Sequence, residues 1–155
     1  MGCRSRKTIP QVLFAARSNK VYNKEEPAFM LNMFKAIRSV MLAAHELYRQ
    51  KKHSLLKITP EQSLDGPLYA PPGAHCAEWQ RTPKTLAVKE YENPLWVFRR
   101  FFKYQNILEW KRTIDQVLDY ALSHDTKDCA LDLLKIYLHL IRLMEAAHLE
   151  ARQDL

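Results

Sequence analysis

Glycine is scarce in this chain, with only Gly2, Gly66 and Gly73 among 155 residues. That scarcity excludes a Gly-rich phosphate loop of either the P-loop or the dinucleotide type, and it disfavours a turn-rich β architecture. Cysteine is equally sparse. Cys3, Cys76 and Cys129 are odd in number, far apart and form no Cys-x-x-Cys pair, so neither a disulfide framework nor a zinc knuckle is written here. They read as thiols in a reducing compartment. No apolar run approaches the length of a membrane span, and the first twenty residues lack the hydrophobic core of a signal peptide. The expectation is a cytoplasmic protein without a membrane span. Met1-Gly2-Cys3 has the start of an N-myristoylation signal, but the motif asks for Ser or Thr at position six, where this chain has Arg6. A Ser-centred nucleophile elbow and a complete metal-ligand spacing are also missing, so no cofactor or metal is expected and an enzyme is not indicated.

What is present is apolar and basic. Hydrophobic residues make up 47% of the chain, enough at this length for one domain with a substantial core. The net charge of +7 is unevenly spread: residues 1–60 carry an excess of nine positive charges, and the remainder is slightly acidic. Such asymmetry favours an anionic partner, either an acidic protein surface or nucleic acid. A solvated basic face is the plainer reading of the same numbers.

Helical periodicity dominates the pattern. Pro10 can open a short helix through Ser18, at the end of a basic N-terminal segment, residues 1–22. A long helix follows from Pro27 to about residue 53, with Met30, Met33, Phe34, Ile37, Val40, Met41, Ala44 and Tyr48 on one stripe. Residues 54–93 then hold five of the eight prolines and two of the three glycines, which leaves no room for a helix of ordinary length. Because Leu64, Leu68, Tyr69, Trp79, Leu86 and Val88 give it something to bury, this segment reads as an irregular strap, with a short extended piece at residues 85–89. Asn93-Pro94 opens an aromatic-rich helix to Tyr104, and Asn106 with Glu109 forms a capping pattern for a helix to Ser123. A final helix, capped by Asp125 or Thr126, runs over residues 126–153. Its apolar residues (Leu131, Leu133, Leu134, Ile136, Leu138, Leu140, Ile141 and Met144 among them) cover more than half the circumference, so several neighbours must pack on it. The predicted fold is all-α, a four-helix bundle-like domain spanning residues 1–155 with a long Pro-rich irregular connection between the first and second core helices.

Four groups of residues carry candidate chemistry. In the stretch from Trp96 to Arg112, cations alternate with aromatics, the composition of surfaces that stack bases and hold phosphates. On the helical wheel Trp96, Arg99 and Lys103 share one face while Phe98, Phe101 and Phe102 point elsewhere as core anchors, so Arg99, Arg100 and Lys103 form the best single patch, joined by Lys51 and Lys52. Glu145 and His148 fall inside the apolar arc of the final helix as buried polar candidates. Glu145-x-x-His148 is also half of a carboxylate-bridged di-metal motif, but Leu42-x-x-His45 stands where the second Glu-x-x-His would be needed, and no metal is expected. His75-Cys76 offers a thiol without an assignable base. Last, Arg38 and His45 lie seven residues apart and within about 20° on a helix.

An arginine followed by six residues and a histidine resembles the motif of the HEPN family, small helical-bundle proteins many of which cut RNA as dimers. That resemblance implies a homodimer in which Arg38 steadies a phosphate and His45 serves the chemistry across the interface. The leading expectation is nevertheless a non-catalytic helical binding module whose basic surface contacts an acidic protein or nucleic acid. The HEPN-like endoribonuclease is its alternative.

Overall fold

In the computed structural model the described residues are 3–18, 20–50, 85–123 and 129–153. They form an all-α protein with six helices and no strand among them, in a four-helix bundle-like arrangement. The helices are α1 (Cys3–Arg17), α2 (Pro27–Gln50), α3 (Val88–Glu92), α4 (Leu95–Tyr104), α5 (Ile107–Leu122) and α6 (Leu133–Gln153). Helix α1 packs mainly on α5 and also on α6. Helix α2 touches α4, α5 and α6, and α4 lies against α6. Of the proposed strap, residues 54–93, only 85–93 are described; residues 54–84, including His75 and Cys76, lie outside the described residues, as do Lys51 and Lys52.

The largest departure from expectation is α1. Pro10 reads as a helix opener, because its missing N–H costs nothing in a first turn. In the structure the helix begins at Cys3 and Pro10 sits inside it. An interior proline removes one backbone hydrogen bond and costs about 3 kcal/mol. Burial offsets that cost: Ile9, Val12, Leu13 and Ala16 recur at helical spacing and are all in the core, and the turn before Pro10 adds buried Thr8. The basic N-terminal segment is therefore a core element. Its connection to α2 is held by the Tyr22 N–H, which donates to the Ala121 carbonyl at 2.8 Å, and by the Tyr22 hydroxyl on Gln11.

Helix α2 buries Met30, Met33, Phe34, Ile37, Met41 and Ala44, six members of the predicted stripe. Residues 85–89 are not an extended piece. Val88 and Lys89 are already helical, and Ala87 is extended as the N-cap of α3, its N–H taken by the Glu90 carboxylate at 2.9 Å. The start of α5 follows its capping pattern. The Asn106 side chain accepts from the Leu108 and Glu109 N–H groups at 3.0 Å, and Glu109 returns the bond to the Asn106 N–H at 2.8 Å.

Helix α6 starts later than predicted. Residues 124–128 lie outside the described residues, and 129–132 are not helical. The cap is Asp132, whose carboxylate accepts the Lys135 N–H at 3.2 Å while its carbonyl takes the Ile136 N–H. The late start leaves the first turns lightly covered: Leu134 and Leu138 are exposed, whereas Ile136, Leu140, Ile141, Leu143, Ala146 and Leu149 are buried. The wide apolar arc is thus covered fully only in the C-terminal part of the helix, where α1 and Thr85 close over it.

Candidate functional site

Helix α4 carries the surface richest in interaction chemistry. Its inner side consists of Val97, Phe98 and Phe101, all buried. Phe101 stacks on Trp110 with ring centroids 4.1 Å apart, and the Trp110 indole N–H donates to the Phe101 carbonyl at 3.0 Å. That packing fixes the rotation of the helix, so the opposite side must face outward. Trp96, Arg99, Arg100 and Lys103 fill that side, all of them exposed. Trp96 leaves 50% of its surface open, and the Arg99 guanidinium lies 5.6 Å from its ring centroid, within cation–π range. No acidic residue occurs on α4 itself.

Arg100 differs from its neighbours. Its guanidinium donates at 2.7 Å to Glu90, a buried carboxylate that also has Arg142 at 4.0 Å. Because Glu90 gives its other oxygen to the Ala87 N–H, one carboxylate joins the cap of α3 to α4 and α6. Part of the Arg100 charge is therefore neutralised from below. Of the three cations, Arg99 and Lys103 present the charge that a partner would meet.

The other candidate residues are dispersed. Arg38 is ion-paired with Asp115 of α5 on the rim of an open groove of about 780 Å³ between α2 and α5. His45, half-buried, packs edge-on against Phe102 at 4.9 Å, and Tyr48 stacks on the same ring at 5.7 Å. Glu145 is buried as expected from the wheel, and its partners come from far along the chain. Arg6 donates to Oε1 at 2.7 Å, and the Thr85 hydroxyl and N–H donate to Oε2 at 2.7 and 3.2 Å. Glu145 thus links α1, the segment entering α3, and α6, in the manner of a structural ion pair. His148 is half-buried. Among the described residues no group of three or more His, Cys, Asp and Glu side chains is placed to hold a metal ion.

One residue escaped the sequence reading. His139 falls on the polar strip of the helical wheel, yet it is half-buried, stacked on Tyr104 at 4.4 Å and close to Phe101 and Trp110. Desolvation, then the charges of Arg142 and Lys135, hold its imidazole below the ordinary value. The sequence carried no direct signal of that burial, because His139 lies on the polar strip of the wheel and its aromatic cover comes from α4 and α5.

These observations define the class: a small all-α bundle with an exposed cationic and aromatic helix face. The chain matches no protein-family model, no curated protein and no solved structure at a significant level of similarity. No helix among the described residues is long and apolar enough to cross a membrane.

Proposed function

We propose that this protein is a non-catalytic helical binding module that meets an acidic protein surface or nucleic acid through its basic surface. The observation that supports this reading most directly is the outer strip of α4, where an indole and three cations stand together without an acid on the same helix. Elsewhere the basic side chains are often matched within the fold: Arg6 by Glu145, Arg38 by Asp115, Lys135 by Asp132. Arg99 and Lys103 combine exposure with an adjacent aromatic surface, the pairing expected of a recognition face. The reading sets the protein in the cytoplasm, where Cys3, Cys76 and Cys129 stay reduced.

The test is retention of the purified chain on immobilised polyanions at low salt. Arg99→Glu combined with Lys103→Glu should abolish retention, and raising salt should weaken it steeply where several phosphates are engaged. Equal retention of the wild type and the double variant would overturn the assignment of the face. The alternative, a dimeric ribonuclease using Arg38 and His45, requires Arg38 to leave Asp115 and His45 to leave the ring of Phe102. Cleavage of an RNA pool by wild type and not by His45→Ala would establish it, and the same cleavage by both would end it.

A further inference from the structure

We propose that the outer face of α4 is a stacking platform for single-stranded nucleic acid, with Trp96 receiving a base and Arg99 and Lys103 the flanking phosphates. This rests on the reading of α4 as the binding face and narrows its partner. A protein partner can also bury an exposed indole, but a single strand supplies both groups this face is built to take, a base for the ring and phosphates for the cations beside it. The fold turns Phe98 and Phe101 of α4 into the core, so the helix has an apolar side that accepts aromatic residues. Trp96 nevertheless stands on the other side with half its surface open. An exposed indole among cations is what base stacking requires, because every base has a π-face to lay on it.

The spacing supports the assignment. Arg99 and Lys103 follow Trp96 by three and seven positions, about 4.5 and 10 Å along the helix axis, so the cations line one direction away from the ring. The Arg99 guanidinium lies over the indole at 5.6 Å, on a ring face that a base would use, so stacking calls for this exposed side chain to swing off that face toward the nucleotide's phosphate. Arg100 is anchored on buried Glu90 and steadies the face from below. A duplex offers no unstacked base, so it would engage the cations and leave Trp96 idle.

Fluorescence anisotropy of the full-length chain decides the matter, with labelled oligo(dT) and oligo(U) of about fifteen nucleotides, a DNA duplex of equal charge and a polyglutamate of equal charge, all at low salt. The expected result is tighter binding of both single strands than of the duplex. Trp96→Ala should weaken single-strand binding roughly 5- to 150-fold, the equivalent of one lost stacking contact, while polyglutamate binding stays unchanged. Trp96→Phe should retain most of the affinity, which a merely structural role for the indole would not explain. Circular dichroism of each variant checks that the exposed substitution leaves the bundle folded. If Trp96→Ala binds single strands as well as wild type, or the duplex binds equally well, the stacking platform is overturned. If polyglutamate binds and neither oligonucleotide does, this inference fails while the binding-face reading stands. Should none of the four probes bind, both fail together.

Discussion

Replacing Glu145 tests the part of the fold that joins the two ends of the chain. The carboxylate is 3% exposed and accepts from Arg6 at 2.7 Å and from the hydroxyl and N–H of Thr85 at 2.7 and 3.2 Å. Glu145→Ala leaves a guanidinium and two Thr85 donors facing a void. Removing one partner of a buried ion pair costs about 3–5 kcal/mol, because the remaining charge is stranded away from water. Arg6 keeps 19% of its side chain in solvent, so it can rehydrate in part, and the expected loss lies at the lower end, about 3 kcal/mol. For a chain of this size that is a fall in Tm of roughly 6–12 °C. Glu145→Gln should cost less, about 1–2 kcal/mol, since the amide oxygen can still accept from Arg6 while its NH2 faces the Thr85 N–H. Urea and thermal unfolding followed by far-UV circular dichroism would measure both. A double-mutant cycle with Arg6→Ala isolates the pair, with an expected coupling of about 1–3 kcal/mol. Loss of less than about 0.5 kcal/mol in Glu145→Ala, or a coupling near zero, would refute the view that this pair docks α1 on the bundle.

Three further predictions concern protons and caps. Because the His139 imidazole is held below its ordinary value of 6.5, the unfolded chain binds its proton more readily than the folded one. Its contribution to stability is therefore complete above about pH 6.5 and lost as pH falls through the lower folded value, and His139→Gln should flatten that part of the profile. A His139 titration midpoint above 6.5 by NMR would contradict the burial argument. At the helix starts, Asn106→Ala should cost about 1 kcal/mol in urea unfolding, whereas Asn106→Asp should be nearly silent. The Asp132 carboxylate is held below its usual 3.8 by the Lys135 N–H and then by the Lys135 ammonium. Its cap is therefore present above about pH 4 and released as pH drops below that, with faster amide exchange in the first turn of α6 as the readout.

Some elements could be read from local grammar alone. The stripe Met30, Met33, Phe34, Ile37, Met41 and Ala44 recurs at helical spacing, and that face is buried. Asn106 and Glu109 reach each other within one turn, so their capping box needs no tertiary partner. Pro10 misled because local propensity and tertiary burial disagreed there, and the burial of Ile9 and Val12 outweighs the missing hydrogen bond. The start of α6 misled for a related reason: Asp125, Thr126 and Asp132 are all acceptable caps, and position along the bundle chooses among them. The Trp96, Arg99 and Lys103 face was legible on the wheel, whereas the anchoring of Arg100 on Glu90 was not.

The sequence by itself determined that the protein is helical, where most helices lie, and that Glu145 is a polar residue on an apolar face. Those properties follow from the helical period and from contacts within a few residues. Only the tertiary structure decided what covers each face: that Arg6, 139 positions away, meets Glu145, that Asp115 takes Arg38, and that Tyr104 shelters His139. A hydrophobic pattern states which side of a helix must leave water. It is silent about the neighbour that removes the water, because many partners offer nearly the same apolar area and only the close packing of all the helices together selects one.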